Sequence, residues 1–472
     1  MKDSDSAPNS SIQKALTINM DDCKYGTIVE IGAGQEVARQ FFRAGGAAGT
    51  VAKTMSAYDM MVSDAIYGSE ESGRYVSRGR LMKMLDREFS LNIERLHGHR
   101  KKNSTYFAYA ATVTAKSFRR DNDCHGWVGL RVQLYPGADP SDIVLHVNMM
   151  DHDARAQQEA LGVLGVNLIY GGYYHYQKPM ELISSLLDNL NSDRIEVDMI
   201  HFSGPYFEEI DERVVNVELV RSGLSRAVLL QPSGEVAIPA EAFYKKHLLS
   251  MMGMFKPITR VNMDMFDKGM NKFEKIPEVN KDNVLQLCGL SINPTAAGPD
   301  VDVAELMNRA EMLNTLGFTV MISDFLRFFS IRAYFRRFTK RQIGIVLGVK
   351  NIHDIFEESY YEGLEGGILE AFGKLFPDHT RLYVYPARDD SSDQLITGDN
   401  IDMPVNLKYL YAHLRENSMI ECIEDIDENL LDIHNYQVLE KLKMGRGEWE
   451  DMVPPEVVDL IVGKRLLGYD SE

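Results

Sequence analysis

A chain of 472 residues has room for two or three domains and a large core, and its 44% hydrophobic and 25% charged residues are those of an ordinary globular protein. Its 51 lysines and arginines against 69 aspartates and glutamates leave a net charge of −18, which argues against duplex nucleic acid as a partner. Cys23, Cys124, Cys288 and Cys422 lie far apart with no CxxC spacing, which excludes a structural zinc or redox motif and fits a reducing compartment.

The polar start, MKDSDSAPNSS, lacks the apolar middle of a secretory signal. No stretch approaches the roughly 20 apolar residues of a membrane span. The expected location is therefore the cytoplasm, with no membrane partner. Residues 27–53, TIVEIGAGQEVARQFFRAGGAAGTVAK, carry the densest local signal. Ile28 to Ile31 reads as a strand, Gly32-Ala33-Gly34 as a turn, and Gln35 to Arg43 as a helix. Such a junction is a natural anion site, because unpaired amides and the helix dipole face the ligand. Gly32, Gly34, Gly46, Gly49 and Lys53 are accordingly the expected cofactor-binding residues, for a phosphate-bearing nucleotide. GAGQEV departs from GxGxxG at Val37, and the GxxxxGK[ST] spacing is missing. The alternative is that these glycines permit tight turns and close packing.

Leu81, Met84, Leu85, Phe89, Ile93 and Leu96 then fall at helical spacing. HGHRKKN, from His97, is a basic turn. Strands are expected at residues 106–116, 127–135 and 143–150, followed by Asp151-His152-Asp153 and a helix, ARAQQEALGVLGVNLIY. Carboxylates at a strand end can hold a divalent ion or move a proton, so Asp151 and Asp153 are candidate catalytic and Mg2+-binding residues. Arg131, on the neighbouring strand, is the candidate for neutralising phosphate. The alternative has Asp153 capping the helix and Asp151 completing the turn. Asp198 and His201 share the strand expected at residues 194–202, as a buried pair or a cleft pair.

Residues 226–239 resemble a hairpin turning at Ser233-Gly234, and residues 240–255 a methionine-rich helix. The polar stretch 268–282 is the expected linker. After it strands and helices alternate, which implies a parallel, helix-covered sheet with its cleft beyond the strand C-termini. Asn293, Ser323, Asp324, Lys350, Asn351, Arg388 and Asp389 lie at those ends. The expected architecture is α/β: an N-terminal mixed α/β domain (1–267), a Rossmann-like parallel-sheet domain (283–393), and a helical acidic tail (394–472) that packs on the other parts or on a second subunit of a homo-oligomer.

Taken together, EIGAGQEVARQFFRAGGAAGTVAKTMSAYDM, CHGWVGLRVQL, QQEALGVLGVNLIYGGYY, YYEGLEGGILEAFGKLF and WEDMVPPEVVDLI resemble a bacterial protein family of about this length. Its members carry two labels, nicotinate or nicotinamide mononucleotide adenylyltransferase and TonB-dependent receptor. The receptor label conflicts with a chain that has neither signal nor barrel pattern. The other label implies a nucleotidyltransferase acting on a mononucleotide, although the HxGH and ISSTxxR patterns of such enzymes are missing, so no catalytic residue is carried over. Two functional expectations follow: a nucleotide-binding enzyme, or a non-catalytic cytoplasmic scaffold or regulatory protein.

Overall fold

The computed structural model describes residues 10–469, leaving out 33, 71–72, 97, 99, 117–123, 294–301, 378, 390–391 and 446. The chain divides into two compact units between Arg226 and Ala227. This is well before the expected linker. Residues 268–273 of that stretch are the end of a helix, whose polar residues face solvent while Phe266, Gly269, Met270 and Phe273 are buried.

The first unit is built on a six-stranded sheet of β1 (Lys24–Ile31), β2 (Val51–Met55), β3 (Thr105–Val113), β4 (His125–Val132), β5 (Ser141–Met149) and β6 (Ile195–Ser203). The spatial order is β2-β1-β3-β4-β5-β6. β1 runs parallel to β2 and β3, and the remaining pairs are antiparallel. Its helices are α1 (Ser11–Asn19), α2 (Glu36–Ala44), α3 (Met60–Tyr67), α4 (Arg78–Leu96), α5 (Ala154–Tyr174), α6 (Pro179–Ser185) and α7 (Glu212–Arg221). Ile28, Tyr109, Leu130 and Leu145 form one apolar core with Val37 and Phe41 of α2 and Leu161 and Leu164 of α5. Gly165 brings α5 close: a Cβ there would lie 2.4 Å from Val37 and 2.6 Å from the Tyr109 hydroxyl. The opposite sheet face meets Leu81 and Leu85 of α4 at Gly129, and carries the polar side chains described below.

The second unit contains β7 (Ala227–Leu230), β8 (Val236–Ala237), α8 (Pro239–Ala242), β9 (His247–Met252), α9 (Arg260–Phe273), β10 (Val284–Ser291), α10 (Val303–Thr315), β11 (Thr319–Ser323), α11 (Phe328–Phe338), β12 (Ile343–Gly348), α12 (Lys350–Ile355), α13 (Gly367–Leu375) and β13 (Thr380–Tyr385). The ribbon β14 (Ala387–Arg388) and β15 (Leu395–Ile396), then α14 (Lys408–Glu416), β16 (Ile420–Cys422), α15 (Asn435–Lys443) and α16 (Pro455–Lys464), complete it. Eight strands form one sheet in the order β16-β13-β12-β9-β10-β11-β7-β8. The first six of these are mutually parallel.

β9 replaces the middle of the expected helix at 240–255. His247-Leu-Leu-Ser-Met is a continuous buried run, as a strand covered on both faces must be, and its apolar content does not distinguish strand from helix. The tail is helical as expected but also supplies β16 to the sheet edge. The architecture is α/β, with a mixed sheet followed by a Rossmann-like one. No helix among the described residues is long and apolar enough to cross a membrane.

Candidate functional site

The parallel strands of the second unit stand in the order β11-β10-β9-β12-β13-β16. Chain order runs outward from β9 through β10 to β11, returns, and runs the other way from β12. This is the 3-2-1-4-5-6 arrangement of doubly wound sheets, whose ligands bind where the order reverses, beyond the strand C-termini. Here the reversal falls between β9 and β12. The helices after them leave on opposite faces. Gly269 and Phe273 of α9 pack on Val346 and Gly344, whereas Ile352 and Ile355 of α12 join the cluster containing Ile343, Ile345 and Leu347. By that rule a ligand would lie between the two diverging turns.

The residues there are Gly253, Met254 and Lys256 after β9, and Gly348, Lys350 and Asn351 at the end of β12. Met254 and Lys350 are exposed, and Gly348 is half-buried. A Cβ at Gly348 would meet only the Asn351 Oδ1, at 3.7 Å, so a side chain can be added there without a backbone collision. The Lys256 ammonium lies 2.6 Å from Glu305. The Tyr385 hydroxyl, at the end of β13, donates to Asp264 of α9 at 2.5 Å, tying that helix to the sheet edge. The Asn293 side chain donates to the Asp324 carbonyl at 2.7 Å, closing the adjoining ends of β10 and β11. The turn after β9, GMFKPIT, has one glycine and is not a GxGxxG loop. A separate cavity of about 560 Å³ lies where β10 and β11 begin, lined by Gln231, Ala242, Val284, Gln286, Leu316 and Thr319 among others; none of its lining residues is charged.

In the first unit the glycine turn has a different form. Gly32 has φ +95°, and a Cβ on it would fall 1.9 Å from the Val113 carbonyl, so close approach of β1 to β3 requires glycine. Ala33 lies outside the described residues. Glu30, at the end of β1, is 2% exposed, and its two carboxylate oxygens accept from the Val37 and Ala38 amides at 3.1 Å each. The protein's own carboxylate thus occupies the first turn of α2, where the sequence places a ligand phosphate. Burial pushes the Glu30 carboxyl up to about 7, against the pull of those amides.

The other expected residues are dispersed. Gly46 and Gly49 sit at the opposite end of the sheet, beside Asn19. There Asn19 donates to the Gly45 carbonyl and Arg100 to that of Gly49. Lys53, in register with Thr27, is on the α4 face and pairs with buried Glu88, which also accepts from the Tyr67 hydroxyl at 2.8 Å. Asp153 caps α5 through the Arg155 and Ala156 amides. Asp151 holds the Arg194 guanidinium at 2.9 Å. These two carboxylates have separate partners. Arg131 is near the far end of β5, in register with Asp142; it grips that carboxylate through two bonds of 2.7 Å and also pairs with Asp86. Only Gly32, Gly34, Asp151 and Asp153 therefore share one sheet edge, joined through Gln157, which bridges the Lys116 amide and the Asp151 carbonyl at 2.8 Å each.

Asp198 and His201 are not a pair. Each has its own partner, and Asp198 lies at a register shift in β6 opposite His146 and Val147. Asp198 bonds His146, and His201 pairs with Glu212. Sequence reading passed over His125 and His146, whose relation appears only once β4 and β5 are set antiparallel, and Glu30, an acid inside an apolar run.

No protein-family model and no curated protein matches the chain. Among solved structures, the competence/damage inducible protein CihA from Agrobacterium tumefaciens is 17% identical, with 35% of this chain and 96% of that one covered, at a TM-score of 0.24. A competence-damaged protein (CinA) superfamily protein from Enterobacter cloacae is 10% identical, covering 36% and 96%, at a TM-score of 0.26. Similarity at this level carries no argument about what this chain binds.

Proposed function

We propose that the chain is a nucleotide-binding enzyme whose nucleotide lies in the second unit, in the crevice between the ends of β9 and β12. The observation that carries this reading is the reversal of strand order at that point, where the turns after the two strands part to opposite faces. Lys350 brings positive charge to its rim, which suits a phosphate-bearing ligand. The resemblance to the mononucleotide adenylyltransferase family makes NMN and ATP the first ligands to try, with transfer of a nucleotidyl group as the finer expectation.

The test is a thermal-shift panel of NMN, ATP and NAD, with and without Mg2+, on the parent and Gly348→Leu proteins. A ligand at 100 times its Kd stabilises by about 2.7 kcal/mol. The parent is expected to shift and the variant to lose the shift while melting normally on its own. An unshifted parent, or a variant that shifts as the parent does, overturns the reading. The scaffold reading then stands.

A further inference from the structure

The connections that enter β9 and β12 lie side by side, because the two strands are parallel neighbours with Leu248 opposite Ile343. One brings Lys245-Lys246 to the start of β9, the other Lys340-Arg341 to the start of β12. The buried Thr339 hydroxyl pins them together: it donates to the Lys246 carbonyl at 2.7 Å and accepts from the Arg341 amide at 3.2 Å. Lys245, Lys340 and Arg341 are exposed and Lys246 is half-buried. Among the described residues, no carboxylate pairs with any of the four.

The other end of the same sheet carries the opposite charge. β16 ends at Cys422, and the segment after it, IEDIDENLLD, exposes Glu424, Asp425, Asp427, Glu428 and Asp432. Lys268 reaches Asp425, and Arg388 reaches Glu428 and Asp432, so two cations stand against five carboxylates. β9, β12, β13 and β16 are parallel, which puts the basic turns and the acidic segment at opposite strand ends, about 20 Å apart. The Debye length at physiological salt is about 8 Å, so neither group neutralises the other within one chain.

We infer that the basic turns are a docking surface for a second copy of this chain, with residues 423–432 of that copy as the occupant. Charge complementarity between the two ends carries the assignment: a chain of net charge −18 repels its copies except where a positive face meets a negative one. The contact is head-to-tail. It joins two different surfaces and leaves one of each free, so it repeats into open chains instead of closing as a dimer.

Sedimentation velocity on the full-length chain, over a range of concentrations at about 0.05 M and about 0.5 M salt, tests the contact. The parent is expected to grow past dimer mass with concentration at low salt and to run as a single chain at high salt. Lys340→Glu/Arg341→Glu cancels the basic face and Glu424→Lys/Asp425→Lys the acidic one; each alone should associate at least about tenfold more weakly. An equimolar mixture of the two should form a dimer and stop there, because one copy keeps an intact acidic end and the other an intact basic face. Should a variant melt well below the parent, the corresponding alanine pair, Lys340→Ala/Arg341→Ala or Glu424→Ala/Asp425→Ala, keeps the test. A parent that stays a single chain at low salt, a variant that associates as the parent does, or a mixture that stays apart overturns the inference.

Discussion

Two strand–turn–helix junctions of this chain look alike in sequence logic and differ in what occupies them. In the first unit, β1 enters a glycine turn and α2, and the Glu30 carboxylate fills the first turn of that helix. In the second unit, β9 enters a turn with a single glycine, and the order of the parallel strands reverses beside it. The comparison teaches that glycine content marks tight backbone geometry, whereas an opening for a ligand comes from strand order. A phosphate and a buried carboxylate compete for the same amides, and in the first unit the protein supplies its own anion.

The comparison can be broken at several points. Gly32→Ala should have the largest effect, destabilising on the order of 3–5 kcal/mol, because its Cβ meets the Val113 carbonyl and its φ of +95° is unfavourable for alanine. Chemical denaturation measures this; a variant as stable as the parent removes the packing role of the turn.

Glu30 sets the next prediction. Its folded carboxyl is raised by burial from 4.5 to about 7, so the folded protein binds the proton more tightly than the unfolded chain. Stability from this group is present below about pH 4.5, is lost as pH rises through about 7, and amounts to about 3 kcal/mol. Glu30→Gln should flatten that part of the stability curve between pH 4.5 and 7. A curve of unchanged slope would place the Glu30 carboxyl at its ordinary value.

Gly348→Leu should leave the unliganded melt within about 0.5 kcal/mol of the parent while removing nucleotide-induced stabilisation. Lys350→Ala is expected to weaken a phosphate-bearing ligand about tenfold, less at high salt, as binding titrations at two ionic strengths would record. Equal affinity at both would take Lys350 out of phosphate binding.

Much of the fold was legible because its signals are local. The alternation of Val284 to Tyr385 and the hairpin at Ser233-Gly234 follow from apolar period and turn chemistry. β9 was hidden because a strand buried on both faces loses the alternation that marks strands. Without β9 there is no reversal of strand order, so the crevice had no location, although Lys350 and Asn351 on its rim were already named. The site in the first unit misled for a related reason: what fills a helix N-terminus is decided by where side chains such as Glu30 point. The pairing of His125 with His146, likewise, exists only in the register of β4 and β5.

Hydrogen–deuterium exchange with and without the nucleotide that shifts the melt tests the central claim most directly. Binding in the second unit should protect residues 252–257 and 348–352 and leave residues 31–38 exchanging as before. Protection concentrated at 31–38, with the two turns of the second unit unchanged, would contradict it.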